Sequence, residues 1–121
     1  MRPTLFLPLL TATSFALVTA PALAHPALLR SDPAAGGTAK PPAVVSLWFS
    51  EKIEPVFNKL EIIDARGVHF EDGKASVAAD DSKRLDVRVK PLPAGRYRVH
   101  WRASAADTHK IEGSFAFQVQ P

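Results

Sequence analysis

The chain has 121 residues, 46% of them hydrophobic, with 15 Lys and Arg against 12 Asp and Glu, a formal net charge of +3 and no cysteine. Its cations are scattered among acids rather than gathered into a patch, which excludes the electrostatic footprint of a nucleic-acid binder. The lack of cysteine excludes disulfide staples, zinc-cysteine centres and thiolate-copper chemistry.

Residues 1–24 read as a secretory leader. Arg2 supplies the positive start, Leu5 to Val18 is apolar, and Ala22-Leu23-Ala24 is a small-x-small cleavage site. Pro8, Thr11, Thr13 and Ser14 interrupt the apolar run, which is too short to cross a hydrocarbon core of ~30 Å as a retained anchor. The expected product is therefore exported, with no membrane-inserted segment in its mature form. Cleavage after Ala24 leaves His25 first, and 25–121 is the size of one domain with its own core.

Ser31-Asp32-Pro33-Ala34-Ala35-Gly36-Gly37 is turn chemistry, and Pro41-Pro42 punctuates the approach to the first clear strand, Val44 to Ser50. That strand is almost wholly apolar, with Trp48 and Phe49 on opposite faces, and it is expected to lie centrally between two layers. Lys59 to Asp64 places Leu60 and Ile62 on one side and ends in a turn at Ala65-Arg66-Gly67. Leu85, Val87 and Val89 alternate with Asp86, Arg88 and Lys90, the period-2 pattern of a half-buried strand. Pro91-Leu92-Pro93-Ala94-Gly95 breaks the ladder, because proline donates no backbone hydrogen bond. The chain resumes with Tyr97, Val99 and Trp101 inward and Arg98, His100 and Arg102 outward. Gly113 to Val119 follows, with Phe115, Phe117 and Val119 on one face. These two aromatic strands are expected to form the middle of a sheet. No mature segment carries a 3.6-residue apolar period, and 11 prolines discourage long helices, so the expectation is an all-β two-sheet sandwich or small Greek-key barrel.

Two features carry chemistry. A histidine at the new amino terminus offers an α-amino nitrogen and an imidazole Nδ1 that can close one chelate ring. The α-amino pKa, about 7.7 to 8.0, lets a metal displace its proton near neutral pH. Pro26 has no amide proton for copper to remove, so the remaining donors must come from elsewhere in the fold. Asp107-Thr108-His109 can supply them: in an extended segment residues i and i+2 project to the same side, so Asp107 and His109 would converge while Thr108 turns away. An Asp-x-His triplet alone is common in solvated loops, and it gains meaning beside His25. One amine, two imidazoles and one carboxylate suit copper(II) or nickel(II), with copper(II) first in the Irving-Williams order; zinc is possible but favours a tetrahedral arrangement. His100 reads as a surface histidine and His69 as a residue of a turn-rich stretch. Glu51 is either a solvated charge or a residue that orients the metal site from behind its ligands. No phosphate loop, Ser/His/Asp order or paired-carboxylate motif is apparent.

The His25 start, Ser31-Asp32-Pro33-Ala34 with Gly36, and Leu47-Trp48-Phe49-Ser50-Glu51-Lys52-Ile53 are joined by Ala94-Gly95-Arg96-Tyr97-Arg98-Val99-His100-Trp101-Arg102, Ser104, Asp107-Thr108-His109 and Gly113-Ser114-Phe115. In that order and spacing the chain resembles the CopC-type periplasmic copper-binding proteins over essentially all of 25–121. The resemblance implies an immunoglobulin-like Greek-key β-barrel in the periplasm, with copper(II) held by His25, Asp107 and His109. Some relatives bind copper(I) in a methionine-rich loop, but the only methionine here is Met1, which leaves one copper(II) ion. The resemblance further implies a carrier or sequestering protein for copper resistance and homeostasis, of a kind often found beside a CopD-type inner-membrane copper transport protein, and the mature chain is expected to be a monomer. The competing expectation is a copper-dependent oxidative enzyme with a histidine-brace-like site.

Overall fold

The computed structural model describes residues 27–121, together with Pro3, Thr4, Ser14, Ala16 and Leu17. His25, Pro26 and most of the leader lie outside the described residues. Eight strands follow in chain order: β1 (Leu28–Asp32), β2 (Thr38–Ala39), β3 (Val44–Phe49), β4 (Lys59–Asp64), β5 (Ser76–Ala78), β6 (Asp81–Arg88), β7 (Gly95–Ser104) and β8 (Lys110–Val119). They form two four-stranded sheets, in the orders β1-β3-β6-β5 and β2-β8-β7-β4. Every pairing is antiparallel except β2 with β8, where Thr38 lies opposite Gln118 and Ala39 opposite Val119. The all-β expectation holds.

The two inner faces make one core. Val45, Leu47 and Phe49 of β3 and Leu85 and Val87 of β6 face Leu60 and Ile62 of β4, Tyr97, Val99 and Trp101 of β7, and Phe117 and Val119 of β8. Each such side chain contributes about 1.5–3 kcal/mol by leaving water. The Phe49 ring meets Trp101 edge-on across the layers at 5.2 Å, and Tyr97 stacks on Phe117 at 5.6 Å. Gly113 on β8 gives Trp101 its place, because a Cβ there would fall 2.6 Å from the indole Cζ2.

Three sequence expectations need correction. Strand β3 is central in its sheet but is not sandwiched on both faces: Trp48 points away from the core and is covered by the Arg30 guanidinium, 3.7 Å from the ring centroid. Ser31 and Asp32 end a strand rather than begin a turn, because the backbone of β1 pairs with β3 and Arg30 can lie over Trp48. The last strand starts at Lys110, three residues before Gly113, since β7 continues to pair with it as far as Ser104 opposite Lys110.

Candidate metal centre

The β7–β8 hairpin is the longest ladder in the molecule, ten paired positions from Gly95–Val119 to Ser104–Lys110. Residues 105–109 close it. The Ala105 N–H donates to His109 O at 2.8 Å and the Thr108 N–H to Ala105 O at 2.9 Å, so the loop is a tight turn. Thr108 takes a left-handed φ of 74°. Asp107 caps the turn: its Oδ1 accepts the His109 N–H at 3.0 Å, and its Oδ2 lies 2.7 Å from His109 Nδ1. Asp107 and His109 do converge, but not by the side-to-side alternation of an extended segment. An Asx-type turn folds the carboxylate back onto its neighbour.

Both side chains are accessible, Asp107 at 52% and His109 at 68%. The bonds from the His109 ring and from the His109 backbone N–H hold the Asp107 carboxyl below the ordinary carboxylate range, so it is ionised at neutral pH. A spacing of 2.7 Å between an imidazole nitrogen and a carboxylate oxygen is that of a hydrogen bond. It is also close to the separation, about 2.8 Å, of adjacent donors set at right angles around an ion with bonds of about 2.0 Å. A metal that takes the place of the shared proton finds the two donors in position.

Behind the loop runs a short strut. The Ala106 N–H donates to Lys52 O at 2.9 Å, Ile53 bridges Ala105, and the Glu54 N–H donates to Ser104 O at 2.8 Å. Two residues earlier Ser50 grips the start of the described chain from both sides. Its N–H donates to Ala27 O at 2.8 Å, and its Oγ accepts the Ala27 N–H at 2.9 Å. Glu51, between these contacts, is exposed. Asn58 completes the frame: its Oδ1 accepts the Ser104 N–H at 2.9 Å and its Nδ2 donates to Glu54 O at 2.5 Å. In the sequence Asn58 is marked only as an amide between Val56-Phe57 and an alternating strand.

The other histidines sit on the outer face of the second sheet, His100 opposite Glu61 with Nδ1 to Oε1 at 3.4 Å, and His69 beside Glu71 with Nδ1 to Oε1 at 2.7 Å. Burial pushes Glu71 up, but bonds from the Ile62 N–H, its own backbone N–H and the His69 ring outweigh it and leave its pKa lowered. Among the described residues no group of three or more His, Asp or Glu side chains is arranged to enclose a metal ion. Asp107 and His109 thus set two donor atoms side by side, too few to enclose an ion by themselves. Their chemistry, one nitrogen and one oxygen at adjacent-donor spacing, fits a borderline divalent ion.

The CopC domain family matches residues 28–120. The chain belongs to the CopC family. That family consists of copper-resistance proteins rather than enzymes. Similar to this member are copper resistance protein C of Xanthomonas campestris pathovar juglandis, 36% identical over 86% of this chain and 87% of that one, and its namesake of Pseudomonas syringae pathovar tomato, 36% identical over 93% and 99%. The copper transport protein CutJ of Bacillus subtilis is 30% identical over 95% of this chain, which corresponds to 20% of that longer protein. Among solved structures, CopC of Methylosinus trichosporium superposes with a TM-score of 0.74 at 30% identity over 80% of this chain and 95% of that one. PcoC of Escherichia coli, described as a methionine-rich copper resistance protein, gives 0.70 at 34% identity over 80% and 100%. This CopC-family chain is not methionine-rich: Met1 is its only methionine.

Proposed function

We propose that this CopC-family protein is exported to the periplasm after cleavage of residues 1–24 and there binds one copper(II) ion through the His25 amine and imidazole, Asp107 and His109. The observation that carries this reading is the 2.7 Å pair of Asp107 and His109 on a loop tied to Lys52, two residues along the chain from the Ser50 clamp on Ala27. His25 precedes Ala27 by two residues, so an extended chain gives it a reach of about 7 Å from that anchor. The donor set of three nitrogens and one oxygen suits a tetragonal copper(II) ion.

The residues divide the work. Asp107 turns the His109 ring and brings a permanent negative charge, which offsets part of the ion's charge. The amine and the imidazoles compete with protons for the metal, which makes release acid-sensitive. With no thioether in the mature chain, soft coordination of copper(I) has no donors. The protein then acts as a carrier or sequestering agent in copper resistance, and a CopD-type inner-membrane copper transport protein is the proposed acceptor or donor. Its similarity to one fifth of a copper transport protein supports that pairing.

The test is a copper(II) titration of the exported protein whose first residue has been sequenced. One equivalent with a nitrogen-rich tetragonal EPR signal is expected, and both are lost on His109→Ala or when one glycine is added ahead of His25. Unchanged binding in the extended variant would remove the amino terminus from the site.

A further inference from the structure

Beside the β7–β8 loop an aromatic side chain stands in solvent, although the fold gains nothing from leaving it there. Phe57 is 78% exposed and Val56 is 54% exposed. Phe57 also has a φ of 63°, a left-handed conformation that a bulky side chain adopts only when its surroundings impose it. The surroundings do impose it: Asn58 binds Glu54 O and the Ser104 N–H, and Ser104 Oγ donates to Phe57 O at 3.4 Å. Residues 54–58 are thereby closed into a turn fixed to the end of β7, with Phe57 exposed on it. Strained residues held by a satisfied network cluster at functional surfaces, and Phe57 with its neighbour Val56 is such a residue.

An open groove of about 510 Å³ runs from Phe57 to Ile111. Its walls carry three cations, Lys59, Arg102 and Lys110, against one carboxylate, Glu112. Lys59 lies 3.5 Å from Glu61 and Arg102 lies 3.5 Å from Glu112, but Lys59, Arg102 and Glu112 are more than half exposed, and such pairs are readily exchanged for the carboxylates of a ligand. On its other side Phe57 shares a second depression with Val56, Glu54 and Thr108, so the patch is continuous with the loop that carries Asp107 and His109. Glu54, Glu112 and Asp107 flank the cations, so the patch does not present the broad basic field that draws a protein to an anionic bilayer. Separate cations around an apolar slot match a polypeptide with spaced acids.

We propose that Phe57 and this groove form a docking surface for a protein partner. The partner places an apolar side chain between Phe57 and Ile111 and sets carboxylates against Lys59, Arg102 and Lys110. Resting on the copper reading above, the position beside Thr108 makes that partner the protein that exchanges the ion.

The test needs no copper, so its failure is distinguishable from failure of the copper site. An acetylated hexapeptide of alternating aspartate and leucine is titrated into the full mature protein while its amide NMR resonances are followed. Saturable shifts of residues 57–59 and 102–112 are expected, with binding about tenfold weaker in Phe57→Gly and in Arg102→Glu. Phe57→Gly keeps the left-handed turn accessible, so a folded variant that loses binding assigns the loss to the ring. Equal binding of a lysine-leucine hexapeptide, or no effect of Phe57→Gly, would overturn the proposal. So would Phe57-dependent flotation with phosphatidylglycerol vesicles in place of peptide binding, which makes the patch a membrane contact, or a Phe57-dependent dimer in sedimentation.

Discussion

Replacing Asn58 with alanine takes two hydrogen bonds from the frame behind the β7–β8 loop. Ser104 is 6% exposed, so its N–H, now without the Asn58 Oδ1, is left poorly solvated. A buried donor left in that state costs about 1–3 kcal/mol, and the lost bond to Glu54 O adds about 0.5–1.5 kcal/mol. Against this, the freed turn lets Phe57 leave its left-handed conformation, returning about 1 kcal/mol. The net loss is about 1–3 kcal/mol, or a fall in Tm of roughly 5–20 °C for a domain of this size. Urea denaturation measures the first quantity, and hydrogen exchange at the Ser104 amide reports the local one. Asn58→Asp keeps the acceptor that faces Ser104 and loses only the donor, so it should recover most of the stability and the Ser104 protection. If Asn58→Ala unfolds within about 0.5 kcal/mol of the parent, or Asn58→Asp is the worse of the two, the Ser104 bond is not what the side chain is for.

Three further outcomes are expected. Asp107→Ala should weaken copper(II) binding by at least about tenfold while the far-ultraviolet spectrum stays unchanged, because the side chain is exposed and its partners lie within the loop; isothermal titration beside circular dichroism reads both. Gly113→Ala sets a methyl against the Trp101 ring at 2.6 Å and should cost about 1–3 kcal/mol, with a changed indole emission spectrum showing that the tryptophan moved. Glu71 has a folded-state pKa lowered below its unfolded value, so it contributes stability at and above about pH 5 that is lost as the pH falls through the folded value. Glu71→Gln should therefore be less stable than the parent at pH 7 and nearly equal to it at pH 3, as followed by urea midpoints at the two pH values.

The strands that bury a side-chain pattern were legible in the sequence, and those held by their backbone were not. The alternation in Leu85-Asp86-Val87-Arg88 and in Tyr97-Arg98-Val99-His100-Trp101 names β6 and β7 together with the faces they bury. Strands β1, β2 and β5 are edges of two to five residues whose sequences are half polar, and only pairing with β3, β8 and β6 defines them. Trp48 misled for a related reason. An indole on the outer face looks like core until Arg30, on a strand that the pattern did not show, is laid across it. At the β7–β8 loop the convergence of Asp107 and His109 is legible in the sequence and the way it arises is not. The alternation of an extended segment would put Asp107 and His109 on one side, whereas the left-handed Thr108 and the Asx turn are what bring them together. Asn58 carries no periodicity, and its importance lies in Ser104, 46 residues away.

The segment from Ser50 to Ile53 has one more effect. It is the only stretch among the described residues that holds both Ala27, near the front of the domain, and Ala106, near its end. Sequence neighbours cannot build this corner by themselves: it exists only after the first and last thirds of the chain have been folded against the middle. An ion lodged there would sense the integrity of the whole domain, and a partial unfolding at either end would set it free.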